Sequence, residues 1–134
     1  MKLTRASSYA LHAVAYMAIQ KSDKPVASHH IAAARGIPER FLLKVLKPLV
    51  SARVLLSIKG PNGGYRLART PSDITMLEIL EAVDGPIRGQ APFTEANGDG
   101  NLNKKLEHIC SQTADQVRKH LEKVRISDLI SGKR

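Results

Sequence analysis

The sequence predicts a mainly α-helical domain that carries one small β-hairpin. Three features of the 134-residue chain support this fold class: two closely spaced helical patterns in residues 27–49, two short strand-like runs on either side of residues 59–64, and a regular apolar repeat in the last third of the chain. A chain of this length can bury one hydrophobic core without disulfide bonds or a structural metal. We therefore expect one domain with a long helix near its end.

A first helix is predicted over residues 8–20, with Ser7 or Ser8 near its N-terminal cap. Its apolar residues fall on one helical face, so we expect it to pack beneath the motif that follows. Basic residues precede this apolar run, as in a secretion signal, but His12 interrupts it and no apolar stretch reaches the length of a membrane span. The sequence therefore predicts a cytoplasmic protein without a membrane segment.

A helix-turn-helix is predicted over residues 27–49. Ser28 is a good N-cap for a short alanine-rich helix that ends at Gly36, and Pro38 opens a second helix that should bend at Pro48 and end near residue 52. Helices joined by so few residues cross steeply, and the second can then lie in a DNA major groove. The alternative is an ordinary helical hairpin within a core. The second helix should bury a stripe formed by Leu42, Val45, Leu46 and Leu49.

The two strand-like runs, residues 54–58 and 65–67, should pair as a β-hairpin across a connector rich in glycine. A hairpin directly after a helix-turn-helix is a wing. Its glycines let the backbone approach a partner closely, while Lys59, Arg66 and Arg69 supply charge for phosphates or a narrow minor groove. A nucleotide-binding phosphate loop is the less favoured alternative, because the connector matches neither common fingerprint and a strand follows it.

The rest of the chain predicts further helices joined by a loop. A helix should start at residues 70–73 and end at residue 84, a flexible loop should cover residues 85–101, and the longest helix should span residues 102–124, before a short closing helix at residues 126–130. The long helix carries a narrow apolar seam of the coiled-coil type, which suits pairing with a second copy. The predicted dimerisation residues are Leu106, Cys110, Thr113, Val117, Leu121 and Val124.

Charge is distributed unevenly along the chain. It has 21 Lys and Arg against 12 Asp and Glu, a net charge of +9, and residues 1–70 hold 12 of the basic and 2 of the acidic residues. A basic half joined to a near-neutral half favours a polyanion-binding region with a separate assembly or sensing region. We therefore predict a winged helix-turn-helix DNA-binding region at residues 1–84, the loop at residues 85–101, and a dimerisation helix with a C-terminal tail at residues 102–134.

Candidate DNA contacts lie on the second helix of the motif, on the wing and near helix starts. Arg40 and Lys44 face away from the apolar stripe and are the first candidates for reading bases or phosphates. Glu39 could accept a hydrogen bond from a cytosine amine, or simply favour the first helical turn through the helix dipole. A solvated helix face would carry similar residues and is the alternative. The predicted contacts are Ser8, Tyr9, Ser28, Glu39, Arg40, Lys44, Lys59, Asn62, Gly63 and Arg66.

Cys110 is the only cysteine, so no intramolecular disulfide can form. It is expected to be a buried residue of the seam, with a redox-sensing role as the less favoured alternative. His108 and Cys110 together provide two potential metal ligands, whereas a structural zinc site needs about four. No metal site and no cofactor are therefore predicted.

Several short motifs match a known protein family: Tyr9-Ala10-Leu11, Ile31-Ala32, Gly36-Ile37-Pro38, Phe41-Leu42 with Leu46, Ser57, the wing string Lys59-Gly60-Pro61-Asn62-Gly63-Gly64-Tyr65-Arg66-Leu67-Ala68, and residues 74–85. On these motifs and on the order of its elements, the chain resembles the IscR/NsrR/CymR-type (Rrf-type) winged-helix transcription regulators of bacteria over nearly its full length. The resemblance implies a homodimer on a palindromic operator, with a helix in the major groove and the wing in the minor groove, usually acting as a repressor.

Two departures from the family pattern matter. Many members hold an iron–sulfur cluster on three loop cysteines, but residues 85–109 contain no cysteine and thiolate ligation needs the thiols. The sequence therefore predicts a cluster-free member. Arg53 stands where members commonly have glycine, between the recognition helix and the wing; if the backbone there is left-handed, Arg53 costs about 1 kcal/mol.

The predicted function is a bacterial sequence-specific DNA-binding transcriptional regulator, a homodimeric repressor whose partner is double-stranded DNA. An effector, either a small molecule or a protein, is expected to engage residues 87–101 and the helix beside them, because this loop joins the DNA reader to the dimer seam. The alternative is a protein-interaction module with incidental DNA affinity. An enzyme is not expected, since no nucleophile–base pair, metal set or cofactor motif stands out.

Overall fold

The computed structural model describes residues 1–90 and 100–132 of the chain. In these residues the fold is mainly α-helical with one two-stranded antiparallel hairpin, as the sequence predicts. No helix among them is long and apolar enough to cross a membrane. In chain order the elements are α1 (Arg5–Ala18), α2 (Ser28–Arg35), α3 (Glu39–Ser51), β1 (Leu55–Ile58), β2 (Gly64–Leu67), a 3-10 turn (Pro71–Asp73), α4 (Met76–Asp84), α5 (Asn101–Leu121) and α6 (Ile126–Ile130).

The hydrophobic core forms where α1 packs against α3, α4 and α6. α1 presents the small side chains of Ala10 and Ala13 to the core, which lets its neighbours approach closely. α3 continues through Pro48 and ends one residue before the predicted boundary. Its predicted stripe is confirmed, with every member at most 4% exposed: Leu42, Val45, Leu46 and Leu49.

The N-terminal cap of α1 differs from the prediction. Thr4 is the cap residue, and its Oγ1 accepts a hydrogen bond from the Ser7 amide at 3.0 Å. The helix therefore begins three residues earlier than expected, and Ser8 and Tyr9 are its fourth and fifth residues. Thr4 Oγ1 and the buried Ser7 hydroxyl also donate to the Asp84 carboxylate, the latter at 2.5 Å. These bonds fasten the start of α1 to the end of α4.

The helix-turn-helix has a tight turn between α2 and α3. Gly36, at φ 65°, follows α2 in the left-handed conformation that favours glycine, and Pro38 precedes the first turn of α3. Ser28 is the first residue of α2 rather than its cap, which is Ala27. The Ser28 hydroxyl instead donates to Glu39 Oε2 at 2.8 Å, so it links the two helices of the motif.

The wing is held against the body of the domain by a third backbone segment. The amide of Val26 donates to the Tyr65 carbonyl and the amide of Tyr65 donates to the Val26 carbonyl, both at 2.8 Å. Gly64 permits this approach, because a Cβ there would lie 2.4 Å from the Val26 carbonyl oxygen. Val54, expected in the first strand, lies outside β1 and is fully buried. The two strands pair in the register Leu55↔Leu67, Leu56↔Arg66, Ser57↔Tyr65 and Ile58↔Gly64.

The single helix predicted from residue 70 to residue 84 is in fact two pieces. The 3-10 turn comes first, the chain then becomes extended, and α4 begins after Thr75. Thr75 Oγ1 accepts from the Glu78 amide at 3.2 Å, while Glu78 Oε2 accepts from the Thr75 amide at 2.8 Å. This reciprocal capping box satisfies two amides that a helix start leaves free, so α4 starts there rather than near residue 70.

The chain that follows α5 returns to the start of α4. The Ile126 amide donates to the Ile74 carbonyl at 2.9 Å, and the Met76 amide donates to the Val124 carbonyl at 2.8 Å. α5 therefore ends at Leu121, and Val124 lies in the connection to α6. The prediction that Val124 belongs to the helical seam is wrong, because it lies beyond the end of α5 and its carbonyl accepts from the amide of Met76, the first residue of α4.

Arg69 is held inside a network of the fold and is not a free cation of the wing. Its guanidinium donates to the Glu78 carboxylate, and its Nη1 donates to the Asp73 carbonyl at 2.8 Å. Burial raises the pKa of the Glu78 carboxyl, but hydrogen bonds from Arg69 and Thr75 outweigh burial, and the pKa lies below its ordinary value. The hydrogen bond with Glu78 raises the pKa of Arg69. Arg69 therefore supports the fold, contrary to its expected role in phosphate binding.

Arg53 adopts the left-handed conformation at φ 62°, the one non-glycine residue within residues 1–90 and 100–132 with a positive φ. Arg53→Gly should raise the free energy of unfolding by about 1 kcal/mol, because glycine has no Cβ to clash with the backbone. Thermal denaturation should show a midpoint about 4 °C higher. Arg53→Ala is the control: it removes the same side chain but keeps the Cβ, and an equal gain there would contradict the backbone explanation.

Glu78→Gln should lower the free energy of unfolding by about 0.5–1 kcal/mol at pH 7, since glutamine keeps the cap but loses the charge that pairs with Arg69. A carboxyl whose folded-state pKa is lowered stabilises the fold above its ordinary pKa, and this contribution is lost as pH falls through the lowered value. Urea titrations from pH 7 to about pH 3 should therefore show the difference between variant and parent disappearing below about pH 4. A difference that persists at the acid end would contradict the assignment.

Candidate nucleic-acid interface

The outer face of α3 carries exposed cations. Because the predicted stripe buries the inner face of this helix, Arg40, Lys44 and Lys47 project from the opposite side. The Arg40 guanidinium lies 4.8 Å from the ring centroid of Phe41, and Lys44 Nζ lies 5.7 Å from it. Cation–π contacts of this kind contribute about 0.5–1 kcal/mol at exposed sites. Phe41 therefore holds two of the predicted DNA-contacting cations close to the helix.

The wing places its polar tip next to the helix-turn-helix. Lys59, Asn62 and Arg66 are exposed and Gly63 is half-buried. The wing tip and the start of α2 flank a groove of about 780 Å³, whose lining includes Asn62, Gly63 and His30. Because the pairing of the wing with the segment before α2 fixes this position, the wing and the motif lie side by side on one surface.

The predicted contacts near helix starts have different surroundings in the structure. Ser28 and Glu39 are brought together by their hydrogen bond, so the hydroxyl that was expected to meet a phosphate bonds a carboxylate here. Ser8 and Tyr9 are the fourth and fifth residues of α1, near its start but after its cap, and Tyr9 packs against the core. The DNA-binding roles of all the predicted residues stay predictions: Ser8, Tyr9, Ser28, Glu39, Arg40, Lys44, Lys59, Asn62, Gly63 and Arg66.

Two apolar side chains on α3 were missed by the prediction. Phe41 is 38% exposed and Leu43 is 43% exposed. Both are neighbours in sequence of the buried Leu42, and successive helical residues point about 100° apart. A projection of the helix from sequence would have shown both side chains off the buried stripe.

α5 leaves most of its surface outside the core, with Ala114 and Leu121 as its buried residues. Three large apolar side chains remain exposed on it: Leu102 by 58%, Leu106 by 44% and Ile109 by 57%. Their spacing of four and three residues is that of a coiled-coil seam. The exposed stripe is therefore shifted from the predicted one: it includes Ile109, which the sequence missed, and excludes Leu121, which is buried within its own chain.

The other predicted seam residues face different surroundings. Cys110 and Val117 are half-buried and line an apolar cavity of about 460 Å³ between α5, the end of α4 and residues 87–90. Gly89 lies against the α5 backbone, where a Cβ would be 2.2 Å from the Cys110 carbonyl carbon. Thr113 is exposed four residues after Ile109, so it lies on the side of the exposed stripe, and its hydroxyl donates to the Ile109 carbonyl at 2.8 Å. Redox sensing by Cys110 stays a prediction.

Residues 85–90 connect α4 to α5 through side-chain bonds. The amide of Ile87 donates to Glu81 Oε2 at 2.9 Å, and Arg118 of α5 donates to the Ile87 carbonyl. This short segment therefore contacts both helices. Residues 91–99 of the predicted loop lie outside the described residues, and the predicted domain boundaries stay predictions.

Comparison with known proteins identifies the family. Residues 3–132 match the Rrf2 family, which is described as an iron-dependent transcriptional regulator. The chain belongs to the Rrf2 family. Its sequence is 36% identical over 137 residues to a protein of Mycobacterium tuberculosis strain H37Rv that is named as an HTH-type transcriptional regulator. This alignment covers 98% of this chain and 83% of the relative. The chain is also 25% identical over 130 residues to the HTH-type transcriptional regulator IscR of Photobacterium profundum, in an alignment that covers 97% of this chain and 76% of that protein.

Solved structures of Rrf2-type regulators share the fold. CymR of B. subtilis, described as its global cysteine regulator, matches with a TM-score of 0.75 at 25% identity and covers 100% of this chain and 99% of its own. IscR of T. potens matches with a TM-score of 0.72 at 22% identity and with coverage of 97% and 86%. The winged-helix fold is confirmed by these likenesses, and the protein is a DNA-binding transcriptional regulator rather than an enzyme.

The family description names iron, and a protein that binds iron must supply donor side chains. Cys110 is its only cysteine, and within residues 1–90 and 100–132 no three His, Cys, Asp or Glu side chains cluster to hold a metal. A cluster bound by several thiolates needs thiols that this sequence lacks. The residues present therefore do not fit a cysteine-ligated iron–sulfur centre.

Lys44→Ala and Arg66→Ala should each weaken binding to a random-sequence duplex and reduce the slope of log affinity against log salt by about 1 per bound chain, because each cation neutralises one phosphate. Fluorescence anisotropy from about 50 to 300 mM salt measures both quantities. Lys123→Ala, an exposed cation after α5, is the matched control and should leave the slope unchanged. An equal change in the control would show that the loss follows net charge and not this surface.

Proposed function

We propose that the protein is a homodimeric repressor that binds a palindromic DNA operator without an iron–sulfur cluster. One observation carries the proposal: a winged helix-turn-helix with an exposed cationic recognition helix is joined to a long helix whose outer surface bears an unpaired apolar stripe. The first feature suits DNA and the second suits a second copy. A protein that binds a symmetric operator as a dimer needs both features.

Dimerisation is supported by the stripe on α5. Leu102, Leu106 and Ile109 share one side of a helix of 21 residues, which is about 30 Å long. Large apolar side chains in register along an otherwise polar helix are expected at an interface, because water solvates them poorly. Charged residues flank the stripe, as on the edges of a coiled-coil seam. Pairing α5 with its copy would bury the stripe of both chains.

Operator recognition follows from the symmetry of such a dimer. Two recognition helices related by a two-fold axis meet equivalent base pairs only if the DNA site is a palindrome, with half-sites about one helical turn, or 34 Å, apart. The wing cations would then reach phosphates or the adjacent minor groove. Repression results where such a site overlaps a promoter, because the bound dimer occupies DNA that the polymerase needs.

Regulation without a cluster requires another signal. The apolar cavity between α4 and α5 is flanked by residues 87–90, which bond to both helices. A small molecule or protein that binds this region would change how α5 is held relative to the DNA-binding region. The distance between the two recognition helices of the dimer would then change as well. Oxidation of Cys110, which lines the same cavity, is a second route to that change.

The operator is tested by selecting bound duplexes from a random pool with the purified chain, followed by gel shifts on the selected sequence. A palindrome bound by two chains, and repression of a reporter that carries it downstream of a promoter, is the result expected. Binding without any enriched sequence, or a stoichiometric protein partner that persists after nuclease treatment, would favour the protein-interaction alternative.

Ile109→Glu should convert the dimer into a monomer and reduce operator affinity at least tenfold, because a buried unpaired carboxylate is costly at an apolar interface. Light scattering coupled to size exclusion gives the mass, and circular dichroism shows that the fold is kept. Lys104→Glu, an exposed substitution on the opposite side of α5, is the control and should remain dimeric. A parent chain that is monomeric at micromolar concentration would contradict the proposal.

A further inference from the structure

Leu43 is an apolar side chain on the outer part of the recognition helix. It is 43% exposed, while its neighbour Leu42 is fully buried. Residues three and four positions away share its side of the helix. These include Glu39, Arg40 and Lys47, which are exposed and charged. Leu46, also three positions away, is fully buried, so Leu43 is the exposed hydrocarbon group between the buried stripe and these charges.

An exposed leucine by itself is ordinary on a protein surface. Its position is what distinguishes Leu43, because it occupies the first two turns of α3, the part of a recognition helix that contacts base edges. The cations around Leu43 can bind phosphates and guanine, whereas a leucine side chain has no hydrogen-bonding group and cannot form a hydrogen bond with either. The major groove offers one hydrocarbon group at its base edges, the C5 methyl of thymine.

We propose that Leu43 reads the C5 methyl group of a thymine in each half of the operator. The inference rests on the proposed function, since it requires α3 to lie in the major groove. Arg40 and Lys47, one turn before and one turn after Leu43, supply the contacts that set the register of the helix on the DNA. Leu43 then discriminates thymine from cytosine by packing, without a hydrogen bond.

Phe41 is the other exposed apolar residue of α3, but its ring is already engaged. The Arg40 guanidinium lies 4.8 Å and Lys44 Nζ 5.7 Å from its centroid. If the Phe41 ring turned away to contact a base, both cations would lose their cation–π contact with it. The geometry therefore favours Leu43 over Phe41 as the thymine contact.

The experiment replaces each thymine of the selected operator in turn by deoxyuridine, which removes only the methyl group. At one symmetric pair of positions, affinity should fall about fourfold for each half-site, and about fifteenfold when both halves are changed, as expected for one methyl group returned to water. 5-Methylcytosine opposite guanine at the same positions should bind more tightly than cytosine there.

Variants connect the methyl group to Leu43. Leu43→Ala should bind the thymine operator as weakly as the parent chain binds the deoxyuridine operator, and should show no further loss on deoxyuridine, because both changes remove the same contact. Leu43→Met should keep most of the discrimination. Leu129→Ala, an exposed leucine of α6 far along the chain, is the matched control and should behave as the parent.

The outcomes separate the two proposals. A specific operator whose affinity is insensitive to deoxyuridine at every position overturns the role of Leu43 and leaves the regulator intact. So does a Leu43→Ala variant that still loses affinity on deoxyuridine. If the selection enriches no sequence at all, the proposed function falls and the thymine contact falls with it.

Discussion

Burial of one side of α3 is the constraint on which the rest of the structure depends. Leu42, Leu46 and Leu49 are fully buried, and each such side chain contributes roughly 2 kcal/mol when removed from water. Because a helix is rigid, fixing the inner face fixes the direction of the outer one. The cations of the recognition helix therefore point outward as a consequence of core packing.

The same packing explains how the termini of several helices are joined. Asp84, at the end of α4, accepts hydrogen bonds from the cap residue and the first turn of α1. The start of α4 is paired with the segment that follows α5. α4 is thus held at both ends by parts of the chain that are distant in sequence, and it links the DNA-binding body to the long helix.

The few contacts that hold α5 bear on how an Rrf2-type protein is regulated. α5 has few buried residues, so its position depends on contacts at its C-terminal end and on the bonds from residues 87–90. Elements held by few buried contacts are those that shift most readily when a ligand binds. In the function that we propose, a regulator that lacks the thiols for an iron–sulfur centre transmits its signal through this segment.

Local patterns in the sequence determined the helix-turn-helix, the wing and the buried stripe of α3, because each depends on residues within a few positions of one another. Arg53 was singled out by the resemblance to the family, whose members commonly have glycine there, and the structure shows its positive φ. Tertiary structure alone decided the end of α5 and the engagement of Arg69, because each rests on a partner more than four residues away. The caps of α1 and α4 are local, but the sequence offers competing cap residues, and its pattern did not single out Thr4 or the pair Thr75 and Glu78. The side of α5 that remains exposed was likewise settled by packing, since a repeat of apolar residues does not show which of them its own chain will cover.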